Sequence, residues 1–256
     1  MEVKRFIQSL LIAFSTYSRI PVPRADWSEG NRKYAMCFFP LVGAAVGGVL
    51  WLWLSLSERL GFGPLLRGAA GAAIPLAVTG GIHMDGFMDT ADALASGKPK
   101  EEKLRILKDS RSGAFAVMGC ASYLLLTAAL LSEARPADAP ALLPVFVASR
   151  AMSALMMTLL PSARPGGMLD GFSRAAEKRA VRVSCAVYLL LCFALWLRRG
   201  IPTALFCEAA AAAAALGYRR MALREFGGVT GDLAGWFLEA AELCLTAAAL
   251  AGGRIG

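Results

Sequence analysis

The chain has 256 residues, a formal net charge of +8, 57% hydrophobic residues and a mean hydropathy of +0.54. This apolar content exceeds the roughly 45 to 50% of soluble domains, so it excludes an ordinary soluble enzyme and predicts a membrane protein. The basic charge does not indicate a nucleic-acid partner, because the chain has no basic patch interleaved with aromatic residues.

The first segment, residues 3–17, carries apolar side chains at helical spacing around the basic pair Lys4 and Arg5. No small-residue cleavage site follows, so the pattern predicts an interfacial helix rather than a signal peptide. We expect this helix to end before Pro21 and to lie on the cytoplasmic leaflet, within an N-terminal arm of residues 1–36.

Seven apolar stretches then approach the length needed to cross a hydrocarbon core about 30 Å thick. Backbone groups in lipid must be hydrogen-bonded internally, and no alternating strand pattern is present. We therefore predict an all-α polytopic integral membrane bundle in which 1–256 is a single membrane-embedded domain. The predicted spans are Cys37–Ser57, Pro64–Ile82, Ala114–Leu131, Ala141–Leu160, Ala180–Leu197, Ile201–Gly217 and Leu233–Ala251.

Lysine and arginine are distributed unevenly around these spans. Nineteen lie in the N-terminal arm and in the loops after the second, fourth and sixth spans, whereas five lie in the alternate set. Because cytoplasmic loops carry the positive excess, we predict a cytoplasmic N-terminus, cytoplasmic polar loops and an external C-terminus. The expected location is the cytoplasmic (inner) membrane of a bacterium or archaeon.

An acidic cluster directly follows the second span. Asp85, Asp89 and Asp92 lie within about 60° of one another on a helix of 3.6 residues per turn, so their charges repel along one stripe. Mg²⁺ binds carboxylate oxygens, would remove this repulsion, and keeps coordination positions open for phosphate. The cluster therefore predicts phosphoryl or diphosphate chemistry at a membrane surface. The alternative is a solvated acidic face at a helix start.

The single histidine, His83, lies two residues before Asp85. One histidine cannot form a zinc site alone, and a lone histidine is often simply hydrogen-bonded at a helix start. Its position beside the carboxylates equally favours a substrate contact or a role in proton transfer.

The loop of residues 83–113, which we predict to be the catalytic cytoplasmic loop, ends in a second polar motif. Lys108, Ser110 and Arg111 directly precede a predicted helix. Cations and helix-start amides suit phosphate, so this motif predicts phosphate binding. The alternative, an ordinary basic boundary, is favoured for Lys98, Lys100 and Lys103.

A third motif, the glycine-rich turn around Thr230, leads into the last span. Asp232, Glu239 and Glu242 follow at helical spacing on one stripe. Carboxylates inside a membrane helix are costly and normally face a partner or a wet cavity. Arg150, in the fourth span, is the candidate partner, either in a buried ion pair without a catalytic role or as a contact with phosphate.

Six motifs together resemble the cobalamin synthase family, adenosylcobinamide-GDP ribazoletransferase, over nearly the whole chain. They are Arg19-Ile20-Pro21-Val22-Pro23, Phe39-Pro40-Leu41-Val42-Gly43, Thr79 to Asp92, Lys108 to Gly113, Ser149-Arg150 and Gly228 to Asp232. Two places depart from the family pattern. Leu233-Ala234-Gly235-Trp236 replaces the usual T-L-G-A, and Phe87 replaces a leucine.

The resemblance implies a Mg²⁺-dependent transferase that joins adenosylcobinamide-GDP to α-ribazole, or to α-ribazole 5′-phosphate, and releases GMP. The expected metal ligands are Asp85, Asp89, Asp92 and Asp232; the expected substrate contacts are Lys108, Ser110, Arg111, Arg150, Thr230 and Glu239. Asp85, Asp89, Asp92 and His83 are the expected catalytic residues. One cluster carboxylate, or the histidine, is expected to accept the hydroxyl proton.

Three other classes fit the sequence less well. A CDP-alcohol phosphotransferase would carry D-G-x-x-A-R, and the arginine is missing here; a prenyltransferase would need a second aspartate-rich motif. A cation transporter would use Asp85, Glu239, Glu242 and Arg150 as a pathway, but no internal repeat is present. Faces rich in glycine and alanine permit a homo-oligomer without requiring one.

Overall fold

The computed structural model describes residues 2–164, 171–172 and 176–255, and almost all of its regular structure is α-helix. The helices are α1 (Glu2–Tyr17), α2 (Glu29–Arg32), α3 (Ala35–Arg59), α4 (Pro64–Thr79), α5 (Ile82–Ala95), α6 (Lys100–Ile106), α7 (Ala114–Ser132), α8 (Ala139–Leu159), α9 (Lys178–Arg199), α10 (Ile201–Met221) and α11 (Gly231–Ile255). Within the described ranges, the only β pairing is one parallel bridge between Ser162 and Val229. The predicted all-α fold is confirmed.

Six helices are long and apolar enough to cross a membrane: α3, α7, α8 with the 3₁₀ turn before it, α9, α10 with the π-helical turn after it, and α11. They correspond to six of the seven predicted spans and confirm a polytopic membrane protein. The second predicted span, Pro64–Ile82, differs. It forms α4, which ends at Thr79 and reaches the length of a span only together with α5.

The break between α4 and α5 is made by two consecutive glycines. Gly80 and Gly81 have φ values of +68° and +77°, in the left-handed region that glycine adopts without a steric cost. The two helices are bent by 101° relative to each other. As a result α5, which carries the acidic cluster, turns away from the direction of α4 and packs against α7 and α11.

Glycines also allow α5 and α11 to approach closely. A Cβ atom at Gly86 would lie 2.7 Å from the Asp232 carbonyl oxygen, and one at Gly235 would lie 2.8 Å from the His83 carbonyl oxygen. Real Cβ atoms essentially never make such contacts, so larger residues at either position would force the helices apart. This crossing brings two of the predicted motifs together.

The N-terminal segment is helical, as predicted, and α1 packs against α3. Ile12, Ala13 and Tyr17 are buried at this contact, whereas Val3 and Ile7 are exposed. This two-sided pattern fits an amphipathic helix, and its position on the cytoplasmic leaflet stays a prediction.

Candidate active site

Helix α5 presents Asp85, Asp89 and Asp92 along one stripe, and the crossing with α11 adds Asp232 to the same neighbourhood. Helix α5 is not one of the six spans. Partial burial, followed by the negative charges of Asp85, Asp232 and Asp92, raises the pKa of Asp89 to about 6. The carboxylates therefore repel one another, and a bound cation would relieve this repulsion.

Asp92 is used differently from the other two aspartates on α5. Its Oδ2 accepts a hydrogen bond from the backbone N–H of Gly113, and its Oδ1 accepts one from the N–H of Ala116 at 2.8 Å. These amides belong to the first turn of α7, where backbone donors have no partner within the helix. Asp92 thus caps α7 and ties it to α5, a role that its sequence position did not predict.

The described residues contain no group of three or more His, Cys, Asp or Glu side chains arranged to hold one metal ion. The stripe on α5 therefore does not converge on one ligation point in this structure. Asp85, Asp89 and Asp232 nevertheless supply the hard carboxylate oxygens that Mg²⁺ prefers, and their mutual repulsion favours a cation. The metal assignment of all four aspartates stays a prediction.

His83 lies in the interior beside this cluster, with 5% of its surface exposed. Burial, followed by the positive charge of Arg150, lowers its pKa well below the ordinary value for histidine, so the imidazole is neutral. Among the residues described, its Nε2 atom has no hydrogen-bond partner. A buried polar atom of this kind is costly unless a ligand or water satisfies it.

A cavity of about 130 Å³, partly open to solvent, adjoins His83. It lies between α1, α3, α5, α8 and the start of α11. Its lining includes Tyr17, Phe39, His83, Asp85 and Asp232. An aromatic surface thus lies directly beside two of the predicted metal ligands.

The basic motif at the end of the loop is exposed. Lys108, Ser110 and Arg111 face solvent, and Arg111 Nη2 lies 2.9 Å from Asp109 Oδ2. The Arg111 guanidinium holds the pKa of Asp109 at about 2. The position of these residues is compatible with contact to an incoming anion, and their role in substrate binding stays a prediction.

Lys103 departs from the expectation of an ordinary basic boundary. Its side chain is buried, and its Nζ lies 2.5 Å from Oε2 of Glu225 in the π-helical turn of residues 222–226. In contrast, Lys98 makes only an exposed pair with Glu102. Lys103 therefore anchors α6 against the segment that precedes α11.

Thr230 is largely buried, with 4% of its surface exposed. Its hydroxyl oxygen accepts a hydrogen bond of 3.2 Å from the backbone N–H of Leu233, at the start of α11. The preceding residue, Val229, donates its N–H to the carbonyl of Pro161 and accepts one from Ala163. The glycine-rich turn is thus fixed by backbone contacts, and the substrate contact predicted for Thr230 stays a prediction.

The predicted polar residues of the membrane interior form one buried group. Arg150 pairs with Glu242, donates to the Phe146 carbonyl at 3.1 Å, and has no exposed surface. Glu239, also buried, has an Oε2 atom without a partner among the described residues. The structure thus shows the buried ion pair, one of the two interpretations of Arg150. The substrate contacts predicted for Arg150 and Glu239 stay predictions.

The fold and the site together define the class: a polytopic membrane protein in which an acidic helix, turned away from the preceding one, meets an aromatic cavity. The profile of a family described as cobalamin-5-phosphate synthase matches residues 9–250. The chain belongs to this family, which confirms the resemblance found in its motifs and identifies a membrane transferase of cobalamin biosynthesis.

Three similar proteins are each named adenosylcobinamide-GDP ribazoletransferase. The one from Lachnoclostridium phytofermentans is 41% identical over 246 residues, which cover 93% of this chain and 92% of the relative. The one from Bradyrhizobium diazoefficiens is 36% identical over 262 residues, covering 98% and 97%. The one from Desulfitobacterium hafniense is 34% identical over 243 residues, covering 93% and 94%. No solved structure matches the chain.

Sequence reasoning did not identify the aromatic lining of the cavity. The sequence pattern places Tyr17 only at the end of the apolar segment 3–17, and Phe39 only within a motif, without a binding role for either. A signal was nevertheless available, since Tyr17 lies just before the motif that begins at Arg19, and Phe39 opens its own motif. Aromatic residues that adjoin motifs are candidates for a binding surface.

Proposed function

We propose that this protein transfers the adenosylcobinamide-phosphate moiety of adenosylcobinamide-GDP to α-ribazole, or to α-ribazole 5′-phosphate, with release of GMP. The observation that carries this proposal is the meeting of α5 and α11, which brings Asp85 and Asp232 beside the cavity that His83 lines, with Asp89 close to both carboxylates. The names of the relatives describe the same reaction. The comparisons do not favour a CDP-alcohol phosphotransferase or a transporter.

In this proposal Asp85, Asp89 and Asp232 hold Mg²⁺, which neutralises charge on the diphosphate of the donor when bound. Asp92 supports them through α7, because both of its oxygens already accept backbone hydrogen bonds. Phosphoryl transfer needs mainly positioning and electrostatic stabilisation from the protein, and a rigid crossing of two helices supplies both.

Other residues act on the leaving GMP and on the attacking ribose hydroxyl, which lie on opposite sides of the reacting phosphorus. Lys108 and Arg111, on the exposed loop, neutralise the departing GMP, and Ser110 donates a hydrogen bond to it. The neutral imidazole of His83, or one cluster carboxylate, accepts the proton of the ribose hydroxyl that attacks the phosphorus. We place this face of the protein in the cytoplasm, in agreement with the distribution of positive charge.

The test is GMP release by the detergent-purified protein with adenosylcobinamide-GDP, Mg²⁺ and α-ribazole, each omitted in turn. The proposal expects release only when all three are present. Glu133→Gln is the control for carboxylate removal, since Glu133 is exposed and paired with Arg254, away from the cluster. Release without the acceptor, or no release from a folded preparation, would contradict the proposal.

A further inference from the structure

We infer that the cavity beside His83 binds the planar base of the acceptor nucleoside, an apolar fused-ring azole such as the benzimidazole-type base of α-ribazole. This inference rests on the proposed function, which names the acceptor. It adds which surface of the protein recognises that acceptor and which part of the acceptor is recognised.

Three rings meet at the cavity. The ring centroids of Tyr17 and Phe39 are 4.4 Å apart, those of Tyr17 and His83 are 5.9 Å apart, and those of Phe39 and His83 are 5.7 Å apart. The planes of Tyr17 and His83 are nearly parallel, at 16°. Aromatic side chains of this kind provide faces and edges on which a flat base stacks.

The unpartnered Nε2 atom of His83 is the second observation. His83 is more than nine-tenths buried, and it lines the same cavity. A benzimidazole nucleoside has one free ring nitrogen besides its ribose hydroxyls. If Nε2 carries the proton, it donates to that ring nitrogen; if it does not, it accepts from a ribose hydroxyl. Either hydrogen bond satisfies the buried Nε2 atom of His83.

Apart from Asp85 and Asp232, the rest of the lining is mainly apolar. Met36, Ile82 and Ala234 contribute apolar surface, and Ser153 is the one neutral hydroxyl besides that of Tyr17.

The position of the carboxylates gives the cavity a role in the reaction. Asp85 and Asp232 belong to the same lining. A ribose attached to a base stacked on this aromatic surface therefore lies next to the proposed metal site. The cavity thereby orients the acceptor hydroxyl toward the donor phosphate, which reduces the entropy cost of bringing the two substrates together.

Two variants test this inference in the full-length, detergent-purified protein. Ala234→Leu fills the cavity, and Tyr17→Leu removes one ring. The matched control is Ala251→Leu, an exposed position on the same helix. Isothermal titration with α-ribazole, without donor or Mg²⁺, is expected to show a Kd raised by about tenfold or more in both cavity variants and unchanged in the control.

The inference is overturned if both cavity variants bind α-ribazole with the wild-type Kd, or if only the KM for adenosylcobinamide-GDP rises. Thermal unfolding and gel filtration verify the fold of each variant. Competition in the wild-type protein does not depend on any variant: free benzimidazole should displace α-ribazole, and free ribose should not. Displacement of α-ribazole by free ribose and not by free benzimidazole would also overturn the inference.

The outcomes also separate this inference from the proposed function. Binding of α-ribazole that is lost in the cavity variants supports the inference even if the wild-type protein releases no GMP. Conversely, GMP release that needs all substrates but has unchanged acceptor KM in both variants supports the proposed function and overturns the inference alone.

Discussion

Two sets of carboxylates in this protein have opposite surroundings. Glu242, in the interior of the bundle, pairs with Arg150 and lies 3.1 Å from the Ser149 hydroxyl. Asp85 and Asp89, on α5, have no lysine or arginine within salt-bridge distance among the residues described. A buried charge needs a permanent partner, whereas carboxylates left without one are available to a cation that arrives with substrate. The comparison separates a structural pair from a candidate binding site.

The largest expected effect is on the buried pair. Arg150→Met leaves Glu242 buried without its partner, so we expect the free energy of unfolding to fall by about 3–5 kcal/mol. The double variant Arg150→Met/Glu242→Leu should recover most of this loss, because it removes both charges. Thermal unfolding in detergent, with Glu133→Gln as the control, measures both. A double variant as unstable as the single one would show that the pair is not the cause.

The next effect is on the acidic helix. Asp89→Asn is expected to slow GMP release by about a hundredfold or more, because one proposed metal ligand is lost. Its fold should be retained, since removing one of several crowded charges relieves repulsion. We expect Mg²⁺ to raise the Tm of the wild-type protein, and this rise should be smaller in the variant. A wild-type rate with unchanged Mg²⁺ dependence would remove Asp89 from the metal site.

Asp92 differs from both the ion-paired Glu242 and the unpaired Asp85 and Asp89, because it accepts hydrogen bonds from backbone amides. Asp92→Ala removes the acceptor for two backbone donors of α7, so the free energy of unfolding should fall by about 1–2 kcal/mol. Hydrogen exchange at the amides of Gly113 and Ala116 should accelerate. Asp92→Asn, which keeps one carbonyl oxygen, should lose less. Unchanged exchange at both amides would contradict the capping role.

The smallest expected effect on stability concerns the ion pair of Lys103 and Glu225, which is partly exposed. Lys103→Met keeps the buried stem of the side chain but loses the contact with Glu225, which is about one-third exposed. We expect a loss of about 1 kcal/mol or less in the free energy of unfolding. Arg105→Met, at an exposed position on the same helix, is the control for removing a cation that does not act on Glu225. A loss as large as that of Arg150→Met would mean that exposure does not govern the strength of these pairs.

Most of the fold could be predicted from the sequence, because length and hydropathy together determine a membrane span. The exception, Pro64–Ile82, shows the limit of that reasoning. Hydropathy gives the length of an apolar segment but not the path of its backbone. It therefore does not show that α4 ends at Gly80 and Gly81 and that the chain bends there by 101°. The glycine pair was visible in the sequence, but the bend depends on its left-handed backbone conformation.

The site was predicted as far as local spacing allows. Helical periodicity placed Asp85 and Asp89 on one stripe, and the motif around Thr230 indicated the second half of the site. Contacts between distant segments were not accessible. Tyr17 and His83 are far apart in sequence, and the cap that Asp92 provides to α7 depends on a loop whose path no periodic pattern encodes.

The hydrogen bonds that Gly113 and Ala116 donate to Asp92 have a further consequence. They close the segment between Asp92 and Gly113, 21 positions apart, into a ring whose two ends stay together. Lys108 and Arg111 lie on that ring, so they are tethered close to the carboxylates. The two hydrogen bonds to Asp92 therefore limit how far these two cations can move away from α5.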